Sequence, residues 1–355
     1  MSGFVRRLPV YVLLDCSESM AGDAFAAMAQ GVAGLLGELR GDPMAMETAA
    51  ISFLTFASTA RQVVPLTNLY TYPPHQLPQL RMGAGTALGA ALELWERCMA
   101  REVVQTSAER KGDFKPVCFV LTDGEPTDRW EAAADRVRTA LCGKRANVIA
   151  VGCGPDADLD KLRRVTPTVV AMKGTDAASF GKFFKWVSAS VSSASQSLGG
   201  AGDKGVSLPG LPDDCLEVAR PGQAREGPVP DRFVFLHARC VKSGAFYVAR
   251  FAKQEGRKGL LGSGKPVYRG VAGHLVEDFD FGPAGEGAGL NVSTECLDAP
   301  PACPACRNPL LGSCASGHLH CCPPLEGTVQ LTCPWCKVAG TYGNAGFFDV
   351  GRGAG

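Results

Sequence analysis

Three observations predict an α/β fold, doubly wound around a mostly parallel sheet and followed by a small β-rich module and a zinc-ribbon-like cysteine-rich tail. Short apolar runs alternate with amphipathic ones over the first part of the chain. Gly and Pro become frequent and helical periodicity fades after about residue 212. Seven of the fifteen cysteines fall between Cys303 and Cys336. Val10 to Leu14 is a continuous β-branched and aliphatic run, as a strand buried on both faces requires. Phe25, Met28, Val32, Leu35, Leu36 and Leu39 then recur at spacings of three and four, an apolar helix stripe with Asp23 as cap and Gly41 to Pro43 as stop. Ala50 to Phe56, Val117 to Leu121, Val148 to Val151 and Val169 to Met172 read as further strands. Leu88, Ala91, Leu92, Trp95 and Met99 mark a helix between the first two of them. A last helix over about 177–190 runs into a Ser-, Ala- and Gly-rich tether. The domains predicted are 1–195, a linker at 196–211, a β-rich module at 212–298 and the cysteine-rich tail at 299–355.

Length and charge bound the function. At 355 residues the chain has room for two or three domains at roughly 150 residues each. Lys plus Arg is 36 against 35 for Asp plus Glu, so no global field steers the protein onto nucleic acid or anionic lipid, and neither is an expected partner. The apolar run ending at Asp15 is too short for a secretory core, and no stretch of 18 apolar residues occurs elsewhere, so the chain reads as cytoplasmic. Thiols stay reduced there, and clustered cysteines read as metal ligands rather than disulfides.

The first strand delivers Asp15-Cys16-Ser17-Glu18-Ser19 to the carboxyl edge of a sheet, where open α/β folds bind ligands. Gly83-Ala84-Gly85-Thr86 opens a helix, and Phe119-Val120-Leu121-Thr122-Asp123-Gly124 brings a second carboxylate to the end of another strand. One carboxylate and two hydroxyls from the first loop, one hydroxyl from the second and one carboxylate from the third make a hard-oxygen set suited to Mg²⁺ or Mn²⁺. This pattern resembles a von Willebrand factor A (VWA) domain with a metal-ion-dependent adhesion site, and the match falls on Asp15, Ser17, Ser19, Thr86 and Asp123. The resemblance implies a cation completed by an Asp or Glu of a protein partner. Glu18, Glu125 and Asp128 flank the site. No His sits near these motifs, so a hydrolase lacks its general base, and the chain is expected not to be an enzyme.

Arg6-Arg7-Leu8-Pro9-Val10, Thr55 to Ala60 and Thr122 to Asp128 are similar to the bacterial tellurite-resistance VWA proteins of the TerY type, some of which carry a cysteine-rich metal-binding C-terminus. That likeness implies a scaffold in a tellurite or chemical-stress response. Its partners there would be a protein kinase and a metal-dependent Ser/Thr phosphatase.

In the tail, Cys303-Pro304-Ala305-Cys306 and Cys333-Pro334-Trp335-Cys336 are two Cys-x-x-Cys knuckles, together a tetrahedral Cys₄ shell for structural Zn²⁺. Cys314, His318, His320, Cys321 and Cys322 lie between them, donors enough for a second ion, for which Cys314, His318, His320 and Cys321 are the candidates. A cross-braced pair of zinc ions would resemble a RING finger, which keeps a VWA–RING ubiquitin ligase as the alternative function. One Cys-x-x-Cys of that order is missing after Cys321, where Pro323 and Pro324 stand. Cys215, Cys240 and Cys296 form no spaced motif and read as buried thiols, with Cys296 near enough in sequence to join the cluster.

Overall fold

The computed structural model describes residues 6–123, 125–154, 157–197, 210, 216–218, 233–258, 266–276, 291–323, 327–343 and 347–351. The chain divides into two compact units whose main bodies lie before and after residues 226/227.

The first unit is the expected α/β layer structure. Strands β1 (Leu8–Asp15), β2 (Ala49–Phe56), β3 (Ala60–Asn68), β4 (Val117–Thr122), β5 (Asn147–Cys153), β6 (Val169–Met172) and β7 (Leu216–Val218) form one sheet in the order β3-β2-β1-β4-β5-β6-β7. The five inner strands are parallel, while β3 and β7 run antiparallel at the two edges. Every residue of β1 is buried, as its uninterrupted apolar run requires of a central strand. The helices are α1 (Asp23–Gly41), α2 (Pro43–Thr48), α3 (Leu88–Glu102), α4 (Glu131–Arg136), α5 (Leu159–Val165) and α6 (Ala177–Ser197).

Strand alternation divides the core between the two faces of the sheet. Tyr11, Leu13, Cys118 and Val120 point toward Leu88, Leu92 and Trp95 of α3 and Ala133 and Ala134 of α4. Phe119 points the other way, edge-on to Phe183 and Trp186 of α6, with ring centroids 6.5 and 6.0 Å apart. Helix α1 packs on α6 at Gly31, where a Cβ would stand 2.3 Å from the Phe184 ring.

Two expectations about boundaries meet a different arrangement. Leu216–Val218, assigned from sequence to the β-rich module, pairs with β6 and closes the first sheet. The last helix continues to Ser197, and most of the 196–211 linker lies outside the described residues.

The second unit begins with β8 (Phe233–Arg239), β9 (Phe246–Lys258) and β10 (Pro266–Leu275). It continues with β11 (Asn291–Ser293), β12 (Leu297–Asp298), β13 (Leu310–Ser313), β14 (Leu319–Cys322), β15 (Val329–Thr332), β16 (Ala339–Tyr342) and β17 (Asp349–Gly351). One sheet, ordered β12-β10-β9-β8-β14-β13, crosses the boundary set from sequence at residue 299. The β-rich module and the tail are therefore one unit. Its core mixes Val234, Leu236, Tyr247, Ala249 and Phe251 with Cys240, Cys303 and Cys321. Among the described residues no helix is long and apolar enough to cross a membrane.

Candidate metal centres

Two sets of donors stand out, one of oxygens that includes Asp15 and Asp123 at the ends of β1 and β4, and one of thiols and imidazole in the second unit. Asp15 ends β1 with its side chain buried and accepts a hydrogen bond from the Thr122 hydroxyl at the end of the neighbouring strand β4. The chain then turns, and the Ser17 and Ser19 hydroxyl oxygens stand 2.8 Å apart. Burial, then the negative charges of Asp123 and Asp15, pushes the Cys153 thiol up.

Thr86 is held from both sides of its peptide unit. Its N–H donates to the Thr127 hydroxyl at 2.9 Å, and its carbonyl accepts the Thr127 N–H at 2.9 Å. Asp128 accepts from the Gly89 and Ala90 N–H groups at 3.1 and 2.9 Å, capping the start of α3 from the same loop. Asp128 is thus a cap, and Glu125 is paired with Lys161. The Thr86 hydroxyl itself is buried and has no hydrogen-bond partner among the described residues. A buried hydroxyl left unsatisfied costs about 1–3 kcal/mol, a cost that a hard cation at this point would remove. Asp15 and Asp123 stand at the ends of β1 and β4 and Thr86 just before α3, and the chemistry of the five residues selected from sequence fits a divalent ion.

Glu18, between the two serines, is also buried, and its carboxylate accepts the Gly85 N–H at 2.7 Å. Gly85 sits at φ +69°, a bend that fixes the approach to Thr86. Glu18 therefore ties the Asp-x-Ser-x-Ser loop to the Thr86 loop. Glu18→Ala strands a buried amide and is expected to weaken Mn²⁺ binding by about 10-fold, the lower end for groups that orient metal ligands. Glu18→Gln retains the acceptor and most of the affinity. Titration followed by electron paramagnetic resonance reads both variants, and equal losses in the two would remove the hydrogen bond from the argument.

In the second unit the donors fall into two groups, each with its ligand atoms within 4.8 Å of one another: Cys240, Cys303, Cys306 and Cys321, and Cys314, His318, Cys333 and Cys336. The two Cys-x-x-Cys knuckles, assigned from sequence to one ion, lie in different groups. Cys314 and His318 join the second knuckle and Cys321 joins the first. His320 belongs to neither: its Nδ1 lies 3.0 Å from the Cys321 carbonyl oxygen and its ring packs edge-on against Tyr342. Tetrahedral thiolates at about 2.3 Å from zinc stand about 3.8 Å from each other. The Cys306–Cys321 and Cys314–Cys336 sulfurs are 3.5 and 3.9 Å apart.

Cys240 escaped the sequence analysis because it lies 63 residues before Cys303 and has no Cys-x-x-Cys partner. The backbone around it carries the missing signal. Cys303, Cys333 and Cys240 each donate their N–H to the carbonyl five residues on, and each accepts the N–H of the residue four on. That fourth residue has positive φ in all three turns: Arg307 at 64°, Lys337 at 61° and Gly244 at 74°. Cys240-Val241-Lys242-Ser243-Gly244 thus adopts the same turn as the two Cys-x-x-Cys segments, with glycine as the left-handed residue.

These turns aim N–H groups at sulfur. Burial opposes ionisation of Cys240, but the Ser243 hydroxyl and the Ser243 and Lys242 amides outweigh it and hold the thiol down at about 6. Burial likewise opposes Cys314, and the His318 and Ser316 amides bring it to about 6. Burial pushes the Cys303, Cys321 and Cys333 thiols up. Each group therefore combines thiols that ionise readily with thiols that resist ionisation, a conflict that a dication in the centre resolves by replacing the protons.

The remaining cysteines belong to neither group. Cys296 and Cys322 are buried outside both, and Cys16, Cys98, Cys118 and Cys153 are buried in the first unit with Cys142 half-buried. Cys215 lies outside the described residues.

Residues 10–185 match the family model for the von Willebrand factor type A domain, and residues 230–355 match that for the TerY-C metal binding domain. No curated protein matches the chain in sequence. Among solved structures, proximal thread matrix protein 1 from the mussel byssus is 16% identical over 53% of this chain and 48% of its own, with a TM-score of 0.36. BatB from Bacteroides thetaiotaomicron is 19% identical over 51% of this chain and 96% of its own, with a TM-score of 0.33. The PilB minor pilin from Streptococcus sanguinis is 12% identical over 54% of this chain and 63% of its own, with a TM-score of 0.41. The chain spans about half the length of the mussel protein.

Proposed function

Since this chain is a VWA protein of the TerY type, a von Willebrand factor type A domain followed by a TerY-C metal binding domain, we propose that it is a metal-dependent adaptor that binds proteins without turning them over. Asp15, Ser17, Ser19, Thr86 and Asp123 hold Mg²⁺ or Mn²⁺ in a metal-ion-dependent adhesion site. A partner's Asp or Glu supplies a further oxygen, because two carboxylates and three neutral hydroxyls leave a hard six-coordinate dication short of a ligand. The reading rests on the buried Thr86 hydroxyl, which lacks a hydrogen-bond partner among the described residues on the edge of the sheet that also carries Asp15.

The two thiol-rich groups hold Zn²⁺ as structural ions that shape the second unit into a fixed interaction surface. A bacterial tellurite or chemical-stress response, in the cytoplasm and tied to phosphorylation through a protein kinase and a metal-dependent Ser/Thr phosphatase, is the setting we assign. The ubiquitin-ligase alternative has no observation in its favour.

The test is capture of proteins by the immobilised full chain, with magnesium present or omitted, beside Asp123→Ala. A set of partners retained by the wild type only with magnesium, and lost in the variant, is the expected result. Identical retention in all three arms would overturn the adaptor reading.

A further inference from the structure

At the opposite edge of the first sheet, where β1 and β4 begin, the first unit contains a cavity of about 620 Å³. This is the size of a small-molecule site. Leu8, Met99, Val103 and Leu141 give it an apolar floor, and Arg6, Lys115, Lys144 and Arg145 bring four cations to its walls. Two carboxylates also line it, and each has an arginine partner, which Glu96 shares with Glu93. Asp113 is bound by Arg7 at 2.7 Å, and Glu96 by Arg136 at 3.3 Å, neither arginine lining the cavity.

Three of the four cations are held in place by neutral groups. The Arg6 guanidinium lies 3.8 Å from the centre of the Phe114 ring while its Nε donates to the Gly112 carbonyl at 2.8 Å. Lys115 donates to the Gly143 carbonyl, and Lys144 to the Thr139 carbonyl at 2.8 Å. Among the described residues none of the four forms an ion pair with a carboxylate. Positioned cations without counter-charges, set around a concave apolar floor, concentrate positive potential where a ligand would enter. An anion there gains charge-assisted hydrogen bonds that the carbonyls do not satisfy.

We infer that this cavity binds a small molecule in which a phosphomonoester is attached to an apolar or aromatic body. The phosphoryl group, with close to two negative charges and three acceptor oxygens, matches several cations at once where a single carboxylate would not. The floor takes the body. The inference stands apart from the adhesion-site reading, since no residue is shared between the two.

Isothermal titration of the full chain with adenosine monophosphate, inorganic phosphate and a phosphoserine peptide tests it. Saturable binding of adenosine monophosphate, weaker binding of phosphate and competition between the two are expected. The doubly substituted Lys144→Glu, Arg145→Glu chain alters exposed side chains only and should fold, and its affinity for adenosine monophosphate should fall by about 10-fold or more. Lys115→Gln, which removes one cation without reversal, should lie between, and Arg97→Glu, outside the cavity, should match the wild type. Absence of binding up to about 10 mM, or undiminished binding by the double variant, would overturn the inference. So would binding that disappears in Asp15→Ala, which would place the phosphate on the adhesion-site cation, and so would binding of the peptide alone, which would make the ligand a protein side chain.

Discussion

Cys240→Ser is expected to lower bound metal from two ions per chain to one and to abolish cooperative unfolding of the second unit. Cys240 directly follows β8, Cys303 and Cys306 follow β12, and Cys321 lies in β14, so one ion would tie the middle of the six-stranded sheet to two further segments of the unit. Structural zinc contributes an apparent 10–16 kcal/mol to small domains, and a site reduced to three thiolates forfeits a large share of it. The core that holds Cys240 also contains Cys303 and Cys321, so loss of the ion disturbs that core directly.

Cys296→Ser provides the contrast. Cys296 is buried in the same core but belongs to neither ligand group, so it should keep two ions and lose about 1 kcal/mol, an ordinary core substitution. Elemental analysis of purified protein, together with thermal melts, separates the two outcomes. Two retained ions in Cys240→Ser would return Cys240 to the role of a packed thiol.

Asp15→Ala is expected to reduce Mn²⁺ affinity by more than about 100-fold, beyond the 10- to 100-fold that removal of a merely supporting partner costs. Asp15 carries one of the two negative charges in the oxygen set, is buried, and is oriented by the Thr122 hydroxyl. Its charge offsets the cost of stripping water from the cation in a way the serine hydroxyls do not. Folding should survive, because the alanine removes a buried charge as well as a hydrogen-bond acceptor. Titration calorimetry with MnCl₂, beside a denaturation curve, checks both halves. Wild-type affinity in the variant would refute the assignment of Asp15, and unfolding without metal would make it structural.

The edge strands show where sequence patterning stopped being informative. The inner strands β1, β2, β4, β5 and β6 are buried on both faces, so each appears as an uninterrupted apolar run with clear ends. Strand β3, Ala60–Asn68, is largely half-buried and contains Arg61, Gln62 and Pro65, and nothing in its composition marks it as a strand. It is held by antiparallel pairing with β2. Strand β7 has three residues and is fixed by β6. Neither is visible without its neighbour.

The oxygen site was legible because its donors cluster in three short motifs at strand ends, and the path of each strand carries them to one edge. Glu18 was legible as a neighbour of the site, but its bond to Gly85 crosses 67 residues. The thiol sites were legible in ligand type and not in grouping. Sequence proximity joins Cys314, His318, His320 and Cys321, whereas the β13–β14 hairpin sends Cys321 back toward Cys303 and leaves Cys314 and His318 at its turn.

The sequence by itself determined the layer order of the first unit, the candidate oxygen donors and the presence of cysteine clusters able to hold metal, because periodicity and short-range spacing encode local geometry. The tertiary structure alone decided which thiols lie together, that Cys240 is among them, and that one sheet unites the module with the tail. Those outcomes depend on strand pairing between segments dozens of residues apart, where the chain between two donors says nothing about the distance between them.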